Sequence, residues 1–98
     1  MEKVWITTAE VQVQPGDASS GDTLGFMRVT MWARSHSDFC KRLEAYFTKY
    51  QWKLLSMEKT EAVDPAFDYG EEENQMIEET LQDQNAVRLG TYHSYKPD

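Results

Sequence analysis

The stretch TLGFMRVTMWARS, Thr23 to Ser35, decides how the chain folds. Met27, Val29, Met31 and Ala33 fall on one parity, and Phe26, Arg28, Thr30, Trp32 and Arg34 on the other. Successive strand side chains point to opposite faces, so the first set makes a uniformly apolar face suited to a core. The second set also carries Phe and Trp. A sheet covered on one side has no need of apolar bulk on the other. The pattern predicts a strand with a helix-covered inner face and an outer face that something else must cover.

The segments around it read in order. VWITTAEVQV (4–13) is β-branched, and Trp5, Thr7, Ala9, Val11 and Val13 form its core parity. QPGDASSGDT (14–23) carries Pro-Gly and Ser-Gly turn signals and reads as a flexible loop. SHSDFCKRLEAYFTKYQ (35–51) is a helix. Ser35 and Asp38 have capping-box spacing, Ser37 is a competing N-cap, and Phe39, Leu43, Tyr46, Phe47 and Tyr50 form one stripe. WKLLSMEKTEAV (52–63) starts almost without a loop. Its residues are good helix formers, but the alternation of Leu55 and Met57 against Glu58 and Thr60 favours a strand. DPAFDYG (64–70) reads as a loop, since Pro65 disfavours α geometry at Asp64. EEENQMIEETLQDQ (71–84) is a second helix with a thin apolar side of Met76, Ile77, Leu81 and Thr80. AVRLGTYHSY (86–95) is a last strand with Val87, Leu89, Thr91, His93 and Tyr95 on one parity, and 96–98 is a tail.

The order β-β-α-β-α-β resembles ferredoxin-like folds, with the first strand joined to the second by a loop instead of a helix. The resemblance implies an α+β two-layer sandwich: a mainly antiparallel four-stranded sheet with two helices on one face, all in one domain spanning 1–98. It rests on no motif and assigns no function.

Composition narrows the classes of partner. The chain has 98 residues, 40% hydrophobic and 12% aromatic, so it is too apolar for a disordered segment. The formal charge is −7, and it is local: residues 58–83 hold ten acids against one lysine. That field disfavours nucleic acid and anionic membrane and favours cationic partners. One cysteine allows no intrachain disulfide. Without an apolar run of signal or transmembrane length, a cytoplasmic location is the expectation.

Two surfaces are candidate sites. Phe26, Arg28, Trp32 and Arg34 lie on the outer face of the second strand, and Trp and Arg are enriched in binding hot spots. Stacking a second copy there would make a homodimer. The second surface is acidic: Asp64, Asp68, Glu71, Glu72, Glu73, Glu78 and Glu79, with no base between them. Aligning Gly70 with the glycine of a calcium loop puts Pro65, Phe67 and Tyr69 at ligand positions, so that match fails. Glu71, Glu72 and Glu73 suit the positive end of a helix dipole.

Cys40, His36 and His93 are the soft ligands, and their spacing gives no zinc pattern. No phosphate loop, Cys-x-x-Cys or nucleophile elbow is present, so no cofactor, metal or catalytic residue is assigned. Three readings follow. The first is a non-enzymatic homodimeric binding or structural module using the outer sheet face. The second is an acidic inhibitor or immunity-type protein that binds a basic protein through residues 64–83. The third is a small enzyme using Cys40, His36 or His93.

Overall fold

The computed structural model describes residues 1–17 and 22–95. The expected flexible loop falls partly on 18–21 and the expected tail on 96–98, both outside the described residues. Strands β1 (Lys3–Gln12) and β2 (Leu24–Ala33) pair antiparallel over their full lengths, from Lys3 opposite Ala33 to Gln12 opposite Leu24. Helix α1 (His36–Thr48), strand β3 (Lys53–Ala62), helix α2 (Glu71–Leu81) and strands β4 (Val87–Leu89) and β5 (His93–Ser94) follow. The sheet order is β3-β1-β2-β4, and β5 also pairs with β2. Every pairing is antiparallel. The fold is therefore α+β, and Lys53–Ala62 is a strand as expected, but two register shifts break the expected alternation. Leu54, not Leu55, packs with Met57 on the core, and Thr60 reaches Thr7 on that same face.

Directly opposed residues in antiparallel strands share a face, so the register sorts the side chains. One face carries Ala9, Val11, Val13, Met27, Val29, Met31 and Ala33, packed against Phe39, Leu43 and Phe47 of α1. These three helix residues are fully buried. Each contributes roughly 1.5–3 kcal/mol of apolar burial. The other face carries Val4, Ile6 and Thr30, and α2 covers it with Met76, Ile77 and Thr80.

The expectation of two helices on one face is thus corrected. The helices lie on opposite faces and the sheet is the middle of three layers. The physical reason is the two-sided apolar character of β2, which asks for cover on both sides and receives one helix on each.

Two further expectations are corrected at the C-terminus. The single last strand is two short ones, which makes the sheet five-stranded. Leu89 opposes Val29 and His93 opposes Phe26, so four steps along the chain span three along β2. One extra residue reverses the parity. Val87 and Leu89 lie on the α1 face, whereas His93 and Tyr95 lie on the α2 face.

The ends of α1 show why its connections are short. Ser35 Oγ accepts from the Asp38 amide at 3.1 Å, and Asp38 Oδ2 accepts from the Arg34 amide at 2.8 Å. This is a capping box reaching one residue further back than usual. Arg42 Nη1 donates to Glu2 Oε1 at 3.0 Å and Arg42 Nε to Asp38 Oδ1 at 3.2 Å, tying α1 to the N-terminus.

At the other end Gln51 has φ 60°. The Gln51 amide donates to the Thr48 carbonyl and the Trp52 amide to the Phe47 carbonyl, both at 3.0 Å. That pair of bonds is a Schellman stop, and its apolar clasp is Trp52 on Phe47 with ring centroids 5.6 Å apart. The turn feeds directly into β3. Glycine is the usual residue at the left-handed position, because a Cβ there costs about 1–2 kcal/mol.

Gln51→Gly is therefore expected to stabilise the domain by about 0.5–1 kcal/mol, after the greater freedom of glycine in the unfolded chain is subtracted. Thermal denaturation should show Tm rising by a few degrees, roughly 4–8 °C per kcal/mol at this size. A lower Tm would show that the Gln51 side chain contributes more than its backbone strain costs.

Candidate functional site

The α2 side of the sheet holds the features that fit recognition. Helix α2 has a narrow apolar stripe, so it covers its face only in part. Its anchor is polar at the centre. The Thr30 and Thr80 hydroxyls lie 2.8 Å apart, both fully buried, and Thr80 Oγ1 donates to the Met76 carbonyl at 2.8 Å. The Trp32 indole N–H donates to the Thr80 carbonyl at 2.6 Å. Trp32 is thereby fixed against the last turn of α2.

Beside this anchor the narrow stripe leaves a groove of about 500 Å³. Its walls are Val4, Trp32, Val63, Pro65, Ile77 and Leu81, and Leu81 is 57% exposed. Glu2, Lys3, Asn74 and Glu78 complete the lining. The Pro65 wall belongs to a loop with its own polar framework. Asp64 Oδ1 accepts from the Ala66 amide at 2.9 Å. Asp68 Oδ1 accepts from the Gly70 amide at 3.0 Å and from Asn74 Nδ2 at 2.7 Å. The Asn74 side chain and the Gly70 amide hold the Asp68 carboxyl below its ordinary range, in that order of effect.

A second, polar cleft of about 530 Å³ runs along the outer side of α2. It is lined by Glu71, Asn74, Gln75, Glu78, Glu79 and Gln82. The two concavities share Asn74 and Glu78, so the apolar groove opens onto the acidic helix surface.

The expected interface residues do not form one bare patch. Phe26 is half-buried beneath Tyr95, with ring centroids 5.3 Å apart. Tyr95 is further held by its hydroxyl, which donates to Glu10. Arg28 Nη1 donates to Thr8 Oγ1 at 2.7 Å. Trp32 lines the groove, and Arg34 is exposed beyond the end of β2. The outer face expected to receive a second sheet is occupied by α2 at one end and the C-terminal segment at the other.

The acidic residues divide by task. Asp64 and Asp68 shape the loop. Glu71, Glu72 and Glu73 occupy the first turn of α2. Glu73 folds back to where a side chain at Gly70 would stand, and Gly70 has φ 112°. Glu72 Oε1 and Oε2 accept from the Thr91 amide and hydroxyl at 2.6 and 2.7 Å, clamping the C-terminal segment to α2. Glu79 reaches Arg88 at 3.8 Å, a partly exposed pair of little energetic weight. Glu78 stands at the junction of groove and cleft.

The soft ligands are scattered. His36 sits edge-on to Trp5 with centroids 6.3 Å apart, Cys40 is half-buried on α1, and His93 lies on β5. Among the described residues no three His, Cys, Asp or Glu side chains converge as a metal site. No helix among them is long and apolar enough to cross a membrane.

The sequence reading missed Val4 and Val63 as site residues, and within 64–83 it singled out the acids and not Pro65, Ile77 and Leu81. The available signal was the mismatch between a broad apolar outer face on β2 and the thin stripe of α2. Comparisons with family models, with curated proteins and with solved structures find no match to this chain.

Glu72 makes the clamp sensitive to pH. The Thr91 amide, then the Thr91 hydroxyl, lowers its carboxyl from the ordinary 4.5. A depressed folded-state pKa stabilises the clamp above the unfolded value, and that contribution fades as pH falls through the folded value. In wild type the Thr91 amide resonance should move as pH drops below about 4.5. In Glu72→Gln that movement should be absent. An identical titration in both proteins would show that Glu72 does not hold Thr91.

Proposed function

We propose that the domain is a non-catalytic protein-binding module that engages its partner along the α2 side. The acidic inhibitor-type reading of residues 64–83 supplies the surface, and the apolar groove supplies the anchor. The observation that carries this is the open groove itself: Trp32 and a 57%-exposed Leu81 sit beside an acidic helix. An apolar centre with a charged border matches the anatomy of protein interfaces, and Trp is a frequent hot spot. The concentrated negative field would steer a basic partner to this side.

The homodimer reading loses support here. Stacking two sheets through the outer face would require α2 and the C-terminal segment to move aside. A second copy docking in the groove would bring two acidic helices together, and such like-charge juxtaposition is unfavourable. Nor does any grouping of Cys40, His36 and His93 favour catalysis.

A photo-cross-linking residue placed at Leu81, with the exposed Lys41 of α1 as the comparison position, tests the proposal in the protein's native cells. The expected product is a heterologous adduct at position 81 that diminishes with added salt and is missing at position 41. Equal labelling at both positions, an adduct that is only a second copy of this chain, or no adduct at 81 would overturn it.

A further inference from the structure

The groove and the polar cleft meet at one helix turn, which specifies more than a general acidic surface. Glu71, Asn74, Gln75, Glu78 and Gln82 recur along one stripe of α2 at helical spacing. Val4, Trp32, Ile77 and Leu81 line the neighbouring hollow, and Asn74 and Glu78 border both. A ligand lying across this turn meets an apolar hollow and, adjoining it, an acceptor-rich surface.

Resting on the protein-binding reading, we infer that the occupant is a partner segment with an aliphatic or aromatic side chain and an arginine about one helical turn apart. The apolar side chain fills the Trp32/Leu81 groove, and the guanidinium lies in the cleft against Glu78. Charge complementarity selects a basic group over an acidic one. The planar fork of arginine selects it over lysine, because it can bond a carboxylate and a side-chain amide oxygen together. Glu78 offers the carboxylate and Gln75 the amide oxygen, since the Asn74 oxygen already accepts from the Tyr69 amide at 3.2 Å. The −7 charge of the chain favours the same cation at longer range.

The test is an NMR amide titration of the full chain with capped peptides. The first carries Leu and Arg one helical turn apart, the second has citrulline for Arg, and the third has Ser for Leu. Citrulline keeps the shape and removes the charge. The expected result is shifts at Val4, Ile77, Glu78 and Leu81 with the first peptide, and binding about fivefold or more weaker with each of the others. Glu78→Gln, an exposed and nearly isosteric change, should weaken the arginine peptide and leave the citrulline peptide unaffected. If arginine and citrulline peptides bind the groove equally, the arginine inference is overturned while the binding reading stands. If no peptide shifts these amides at millimolar concentration, both are overturned.

Discussion

The buried hydroxyl pair between Thr30 and Thr80, 2.8 Å apart, joins the central strand to α2 and determines what the rest of the outer face can do. A buried hydroxyl without a partner costs about 1–3 kcal/mol. Polar matching therefore locates α2, which has too little apolar surface to do so by burial alone. Trp32 adds a second bond to the same residue at the Thr80 carbonyl. With α2 fixed at Thr80, its preceding turns bring Met76 and Glu72 to Gly90 and Thr91, and its final turn leaves Leu81 projecting beside Trp32. The groove is thus a by-product of how the helix is anchored.

The same anchoring sets the electrostatics. A helix held by Met76, Ile77 and Thr80 must turn its remaining positions outward, and those positions are mostly acids and amides. Some of that charge has structural work: Glu72 clamps Thr91 and Asp68 organises the loop before the helix. Glu71 and Glu78 line the outer cleft instead. The acidic segment is a solvated helix start, as the sequence indicates, and also the border of the apolar groove on this side.

Local pattern made much of the fold legible. The alternation in β2 and the stripe of α1 followed from periodicity and capping, whereas Lys53–Ala62 is a strand whose two register shifts place Leu54, not Leu55, on the core. What periodicity could not tell was which face each helix covers. The pattern shows that Phe26 and Trp32 need cover, but a second copy and a second helix satisfy that need equally in one dimension. The Thr30–Thr80 match, separated by 50 positions, decides between them and leaves no local trace. The break at Gly90–Tyr92 was hidden for a similar reason, since the parity from Val87 to Tyr95 looks continuous until one extra residue reverses it. The groove was illegible because its walls come from β1, β2, α2 and the segment at Val63–Pro65.

The most direct test of this architecture is a methyl NOE experiment on a mixture of isotope-labelled and unlabelled chains. The account predicts intramolecular cross-peaks from Thr80 to Thr30 and from Ile77 to Val4, with no intermolecular peaks at Thr30 or Ile6. Intermolecular peaks at those methyls, with Thr80 and Ile77 showing no contact to the sheet, would mean that a second copy covers the outer face and that the α2 groove does not exist.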